Sequence, residues 1–248
     1  MTGRDPVVDT VRAVAVVGVV TGHWLVTSLV AGADGFTIDS PLRTMPSFTP
    51  LTWVLQTLGL FFFVGGFAAT RSTSSLPAKA RRLAVAVAVL LGVWAVVLVG
   101  LSTRGVPQNT VRAVAHLVVT PLWFLGVHLA LSALMPVCRY LDRHLGVAAV
   151  LLPVLLALPG VGAVNVVAVW WAPWQLGVAV SRLGTRRSWG PPLLAAGIAG
   201  YALLVGVGGY PASAVGVPGE RSNLAPPTVA TLALAFAQIG LVLLLSLI

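Results

Sequence analysis

Acidic residues are nearly absent from this chain: six aspartates and glutamates stand against fifteen lysines and arginines in 248 residues. So few and so scattered, they form no carboxylate cluster for a divalent cation, and none lies deep in an apolar run. A carboxylate proton relay through a membrane therefore has no support. A single cysteine, Cys138, excludes an internal disulfide and any cysteine-based metal site, and reads as a small residue at a helix end. No His-Glu-x-x-His pair, no Gly-x-Ser-x-Gly elbow and no glycine-rich phosphate loop after a strand occurs, so metal hydrolysis, serine-hydrolase and P-loop chemistry are set aside, and no metal is expected. Charged residues amount to 8% of the chain, too few to give a soluble domain its wetted surface.

What fills the chain instead is apolar. Hydrophobic residues make up 58%, and the mean hydropathy is +0.98. Runs of spanning length fall at Val7 to Val30, Leu51 to Thr70, Leu83 to Leu101, Val111 to Met135, Val147 to Leu158, Ala163 to Val180, Pro191 to Gly209 and Thr228 to Ile248. They predict one all-α domain over residues 1–248, a polytopic transmembrane bundle of about eight helices. The fifth run is short and interrupted by Pro153 and Pro159. With the N-terminus in the cytoplasm, Arg43, Arg104, Arg112 and Arg221 fall outside and the other eleven of the fifteen basic residues inside, as the positive-inside rule requires. The basic residues thus read as topology signals in a plasma membrane rather than as a nucleic-acid surface. The N-terminus carries no cleavable signal pattern and is expected to be retained as the first helix. The chain closes inside the apolar run Leu241 to Ile248 without a basic anchor, so it is expected to stop short of the natural C-terminus.

Two ionisable residues break the first apolar run. Arg12 and His23 are eleven positions apart, which on an α-helix leaves them within about 20° of one another and about 16.5 Å apart along the axis. An arginine at mid-membrane costs about 2.5–3.5 kcal/mol on insertion scales, so such a residue faces a protein interior or a wet cavity, or else snorkels to the interface. Both readings stay open for Arg12. In the fourth run Arg112, His116 and Trp123 fall close to one face, with Arg112 and His116 at i, i+4; they could line a site, or be an interfacial arginine and a packed histidine and tryptophan. His128 and His144 join no evident constellation. Trp170, Trp171 and Trp174 could stack on a sugar or on adenine, or serve as membrane-boundary anchors, the preferred reading. The loop from Tyr210 to Pro227, punctuated by Gly and Pro around Glu220, Arg221 and Asn223, suits a fixed rim above a cavity as well as a plain connector.

The order of several segments points to a family. Asp9-Thr-Val-Arg12-Ala-Val-Ala, with His23 in Thr21-Gly-His-Trp24, resembles the opening helix of the membrane acyltransferase-3 family, whose members O-acylate extracytoplasmic sugars. Leu60-Phe-Phe-Phe-Val-Gly-Gly-Phe67 resembles its second-helix motif, with Gly65 where serine is common. Lys79-Ala-Arg-Arg82 resembles the basic entry to helix three, and Pro121-Leu-Trp-Phe-Leu125 a helix-four signature. Family members commonly have about ten helices.

The resemblance implies an O-acyltransferase that moves a short acyl group, acetyl by preference, from cytoplasmic acyl-CoA to a hydroxyl of a glycan or glycolipid precursor. No resident cofactor is implied; acyl-CoA is the donor substrate, and the bilayer and a carbohydrate or glycolipid acceptor are the partners. His23 would be the general base, since a neutral imidazole can take a hydroxyl proton near pH 7. Arg12, Lys79, Arg81 and Arg82 would form a cationic mouth for the donor's phosphates. Arg112, His116, Trp123, Glu220 and Asn223 are candidates for the acceptor side. The competing function is a multi-pass permease whose Arg12 and His23 bind a small anionic solute.

Overall fold

The computed structural model describes residues 6–32, 35–160, 162–184, 187–217 and 221–245. Arg4 and Arg186, both part of the charge split, and Glu220 lie outside these residues. The bundle is helical, and seven segments have the length and apolar character to cross a bilayer, with a shorter apolar helix, Val229–Leu244, after them. The eight runs read from the sequence each coincide with one of these segments.

Helix α1 (Pro6–Val26) ends four residues before the apolar run does. The β-branched and polar stretch after it leaves the helix and forms an antiparallel hairpin, β1 (Ser28–Gly32) with β2 (Gly35–Asp39), in which Ser28 pairs with Asp39. Thr110 anchors this hairpin, its hydroxyl accepting a hydrogen bond from the Phe36 amide at 2.8 Å. The second span is divided: the one-turn α2 (Leu51–Leu55) gives way at Gln56 and Thr57 to α3 (Leu58–Arg71). Helix α4 (Leu76–Thr103) is capped by the Ser75 hydroxyl, which accepts from the Ala78 amide, and Pro77 in its first turn needs no donor of its own. None of its residues is fully buried; a stripe through Leu83, Val87, Trp94 and Leu98 is half-buried and most of its other apolar side chains are exposed.

The fourth span is bent. Helix α5 (Gln108–Val119) stops one residue short of a 3-10 turn at Thr120–Leu122 that contains Pro121, and α6 (Trp123–Ala133) resumes beyond it. Helix α7 (Met135–Leu145) follows α6, and the fifth run, Val147 to Leu158, forms a 3-10 turn at Gly146–Val150 and α8 (Leu151–Ala157). It leads into the central helix α9 (Gly162–Leu183). Three contacts occur in the same order along α7 and α9: Trp174 Nε1 to Met135 Sδ at 3.3 Å, Gln175 Nε2 to the Cys138 carbonyl at 3.0 Å, and Arg182 on Asp142. Helix α7 therefore runs alongside α9 in the same direction, and the chain turns at Gly146 (φ +59°) beside Arg182 before α8 packs back against α9. Cys138 lies in the first turn of α7 and is fully buried.

Helices α10 (Gly190–Gly206) and α11 (Val229–Leu244) form a closely packed pair. The core lies where α3 meets α9: Phe62, Phe63, Val64, Trp170 and Trp174 are all fully buried there. Gly66 and Gly177 permit the approach, since a methyl at Gly66 would lie 2.1 Å from the Trp174 carbonyl and one at Gly177 2.0 Å from the Phe63 carbonyl. Small residues that bring backbones together are the usual means by which helices associate in lipid. Trp170 and Trp174 are thus core residues, and the expectation that they anchor a membrane boundary is corrected.

Charge divides the bundle by its ends. Arg71, Lys79, Arg81, Arg82, Arg139, Arg143, Arg182 and Arg187 lie at or near helix ends on one side, whereas Arg43, Arg104, Arg112 and Arg221 lie on the side of the hairpin and of the loop before α11. That loop is pinned by Asn223, whose Nδ2 donates to the carbonyls of Pro211 at 2.6 Å and Ser213 at 2.9 Å. Its Oδ1 accepts from the Thr228 hydroxyl at 3.0 Å.

Candidate functional site

Helix α1 carries Arg12 and His23 into two different cavities. The outer one, nearer the hairpin, has a volume of about 420 Å³ and takes His23 from α1, Thr27 just beyond it, Ile38 from β2, and His116 and Thr120 from the bent fourth span. The inner one, nearer the basic end, has about 340 Å³ and takes Arg12, Lys79, Arg82, His128, Ser132 and Trp174. Phe61 lines both. Its ring lies edge-on to Phe62 and Phe124, at 5.5 and 5.6 Å between centroids, and 5.4 Å from the His128 ring. An aromatic wall one side chain thick therefore separates a histidine-bearing chamber from an arginine- and lysine-bearing one.

The outer chamber has the parts for proton transfer. The His23 side chain makes no hydrogen bond to another protein group among the described residues, which leaves both ring nitrogens for a bound molecule. His116 shares its ring nitrogens with the Thr120 hydroxyl at 3.2–3.3 Å. A narrow cleft, also lined by His23, takes Gln56, Trp123, and Val215 and Leu224 from the loop before α11. Gln56 is buried, and its Nε2 has no partner. An amide donor kept from water and left unpaired costs free energy unless something is bound to it.

The inner chamber gathers positive charge around an aromatic floor. Arg12 is loosely paired with Asp9 at 3.8 Å, both side chains being 40% exposed. Lys79 and Arg82, one turn apart on α4, face the same space. His128 stands edge-on to Trp174 at 5.2 Å, and its buried Nδ1 has no partner. Gly65 makes room for both rings: a methyl there would meet the Trp174 ring at 2.8 Å and His128 at 3.4 Å. Where serine is common in the resembled motif, this chain has put an indole and an imidazole instead.

Set against the expectations, the structure brings Arg12, Lys79 and Arg82 together in one chamber and His23 and His116 in another, with Trp123 on the narrow cleft that His23 also lines. Arg81 and Arg112 line none of these spaces and are exposed. Asn223 spends its side chain on the loop itself, and Glu220 lies outside the described residues. Sequence reasoning missed His128 and Gln56. No group of three or more metal-ligating side chains occurs among the described residues.

A family model described as an acyltransferase domain matches residues 5–247, nearly the whole chain. The chain belongs to the acyltransferase-3 family. No curated protein and no solved structure matches it. As a membrane acyltransferase it must place an activated acyl group and an accepting nucleophile at one point, and two chambers with a shared wall suit that task.

Proposed function

We propose that this acyltransferase moves a short acyl group, acetyl by preference, from cytoplasmic acyl-CoA to a hydroxyl of a glycan or glycolipid precursor at the outer face of the plasma membrane. The observation that carries the reading is that His23 and Arg12, on one helix, open into two chambers that share Phe61. The basic end then faces the cytoplasm and the N-terminus lies there, in keeping with the positive-inside rule.

In this reading the thioester enters from the inner chamber, with Arg12, Lys79 and Arg82 attracting the anionic donor. The acceptor hydroxyl lies in the outer chamber against His23. The imidazole removes its proton as the oxygen bonds to the acyl carbon, and Gln56 Nε2 donates to the oxyanion of the tetrahedral intermediate. The carbon–sulfur bond then breaks, and the proton held by His23 ends on the departing thiolate. His116, held by Thr120, and Trp123 bound the acceptor. A permease for an anionic solute has less in its favour, since it leaves the family's acyl-transfer chemistry without a use.

The test is transfer itself. Purified protein in lipid nanodiscs is incubated with acetyl-CoA labelled in the acetyl group and with membrane glycans. Appearance of ester-bound label in the glycan fraction, released by mild base, supports the reading. Saturable movement of an anion without loss of the thioester supports the permease.

A further inference from the structure

Two more cavities continue the inner chamber along the basic end. The first, about 280 Å³, shares Ala69, Ser72, Lys79 and Ser132 with the inner chamber and adds Ser74 and Arg139. The second, about 300 Å³, shares Arg139 with the first and is built from Thr70, Arg71, Asp142, Arg143, Ser181 and Arg182. The three spaces thus follow one another from Phe61 to Arg143, each handing on side chains to the next.

Their chemistry changes along the way. The middle space is lined by hydroxyls, with Lys79 and Arg139 as its charges. The last space holds four guanidinium groups and one carboxylate, a net charge of +3. The carboxylate is already engaged: Arg182 Nε donates to Asp142 Oδ2 at 2.5 Å and Nη2 to Oδ1 at 3.2 Å, a bidentate pair. Arg139 is fixed by donating Nη2 to the Thr70 carbonyl at 3.1 Å, and the Arg71 guanidinium lies 4.2 Å over the Phe67 ring. Thr70 and Ser181 add hydroxyls 2.6 Å apart. Planar guanidinium groups gathered around a small polar space suit phosphate oxygens.

We propose that this last cavity binds the 3′-phosphate and ribose of the acyl-CoA nucleotide, with Arg71 and Arg143 as its phosphate ligands. The pyrophosphate then lies at Lys79 and the pantetheine arm runs past the serines of the middle space towards Phe61. The assignment rests on acyl-CoA being the donor. It divides the donor's negative charge between two sites instead of placing all of it on Arg12, Lys79 and Arg82.

Equilibrium binding of CoA and of 3′-dephospho-CoA to the nanodisc-embedded protein tests it without any turnover. Wild type is expected to bind CoA at least tenfold more tightly than 3′-dephospho-CoA. In R71Q and R143Q the preference should shrink to within about twofold, chiefly through weaker CoA binding. In R82Q both ligands should weaken by a similar factor, so the preference persists. A wild-type preference below twofold, or one that survives in both R71Q and R143Q, overturns the assignment while leaving acyl-CoA as donor. Failure of wild type to bind either ligand removes the donor reading along with it. Loss of the preference in R82Q alone would move the 3′-phosphate to the inner chamber and overturn the assignment as well.

Discussion

The Thr57 hydroxyl donates a buried hydrogen bond to the Ala15 carbonyl at 2.6 Å, tying the middle of α1 to the start of α3. Ala15 lies between Arg12 and His23, so this bond sets the register in which α1 presents both residues. Gly18 lies against the same hydroxyl, and a methyl there would be 2.3 Å from Thr57 Oγ1. Gly18→Ala should therefore push α1 from α3 and cost about 1–3 kcal/mol, the usual scale of overpacking. Thermal unfolding in detergent checks it: the midpoint should fall in Gly18→Ala and recover in part when Thr57→Ala removes the obstructing atoms. An unchanged midpoint in the single variant would show that the helices are not in close register here.

The wall between the chambers makes a second prediction. If Phe61 keeps water from the thioester until an acceptor is in place, Phe61→Ala should let acetyl-CoA be hydrolysed without transfer. Exclusion of water from a closed site is a recognised way of suppressing such a side reaction. The ratio of acetyl transfer to free acetate should drop at least tenfold, measured by partition of label between glycan and acetate. A ratio equal to that of wild type would mean that Phe61 does not separate the two compartments.

The spans, the family and the placement of Arg12 and His23 on one helix were legible in the sequence because each rests on a local signal: an apolar run or a short motif. His128 was not. It lies off the helical face traced through Arg112, His116 and Trp123, and only the packing of α6 beside α3 and α9 shows that it enters the inner chamber next to Trp174. Gln56 gave no signal either, being a lone amide at the break between α2 and α3 whose importance lies in an unpaired donor that only three-dimensional packing reveals. The hairpin was hidden for a related reason: Ser28 to Val30 is apolar enough to extend α1, and only pairing with the Gly35–Asp39 strand favours the extended form.

Orientation in the membrane makes a third prediction. With Cys138 replaced by alanine, single cysteines at Thr73 and Ala212 occupy exposed positions at opposite ends of the bundle. An impermeant thiol reagent applied to intact cells should label the Ala212 position and spare the Thr73 position until the membrane is opened. Labelling of Thr73→Cys alone in intact cells would invert the bundle and put the basic end outside.

The central claim is that His23 takes the proton from the acceptor, and His23→Ala examined in a single turnover tests it most directly. Transfer of labelled acetyl from pre-bound acetyl-CoA should slow by about 10²–10⁴-fold, the range typical of a general base, while acetyl-CoA affinity and the thermal midpoint stay near those of wild type. A single-turnover rate within about threefold of wild type, in a protein that still binds acetyl-CoA, would contradict the account.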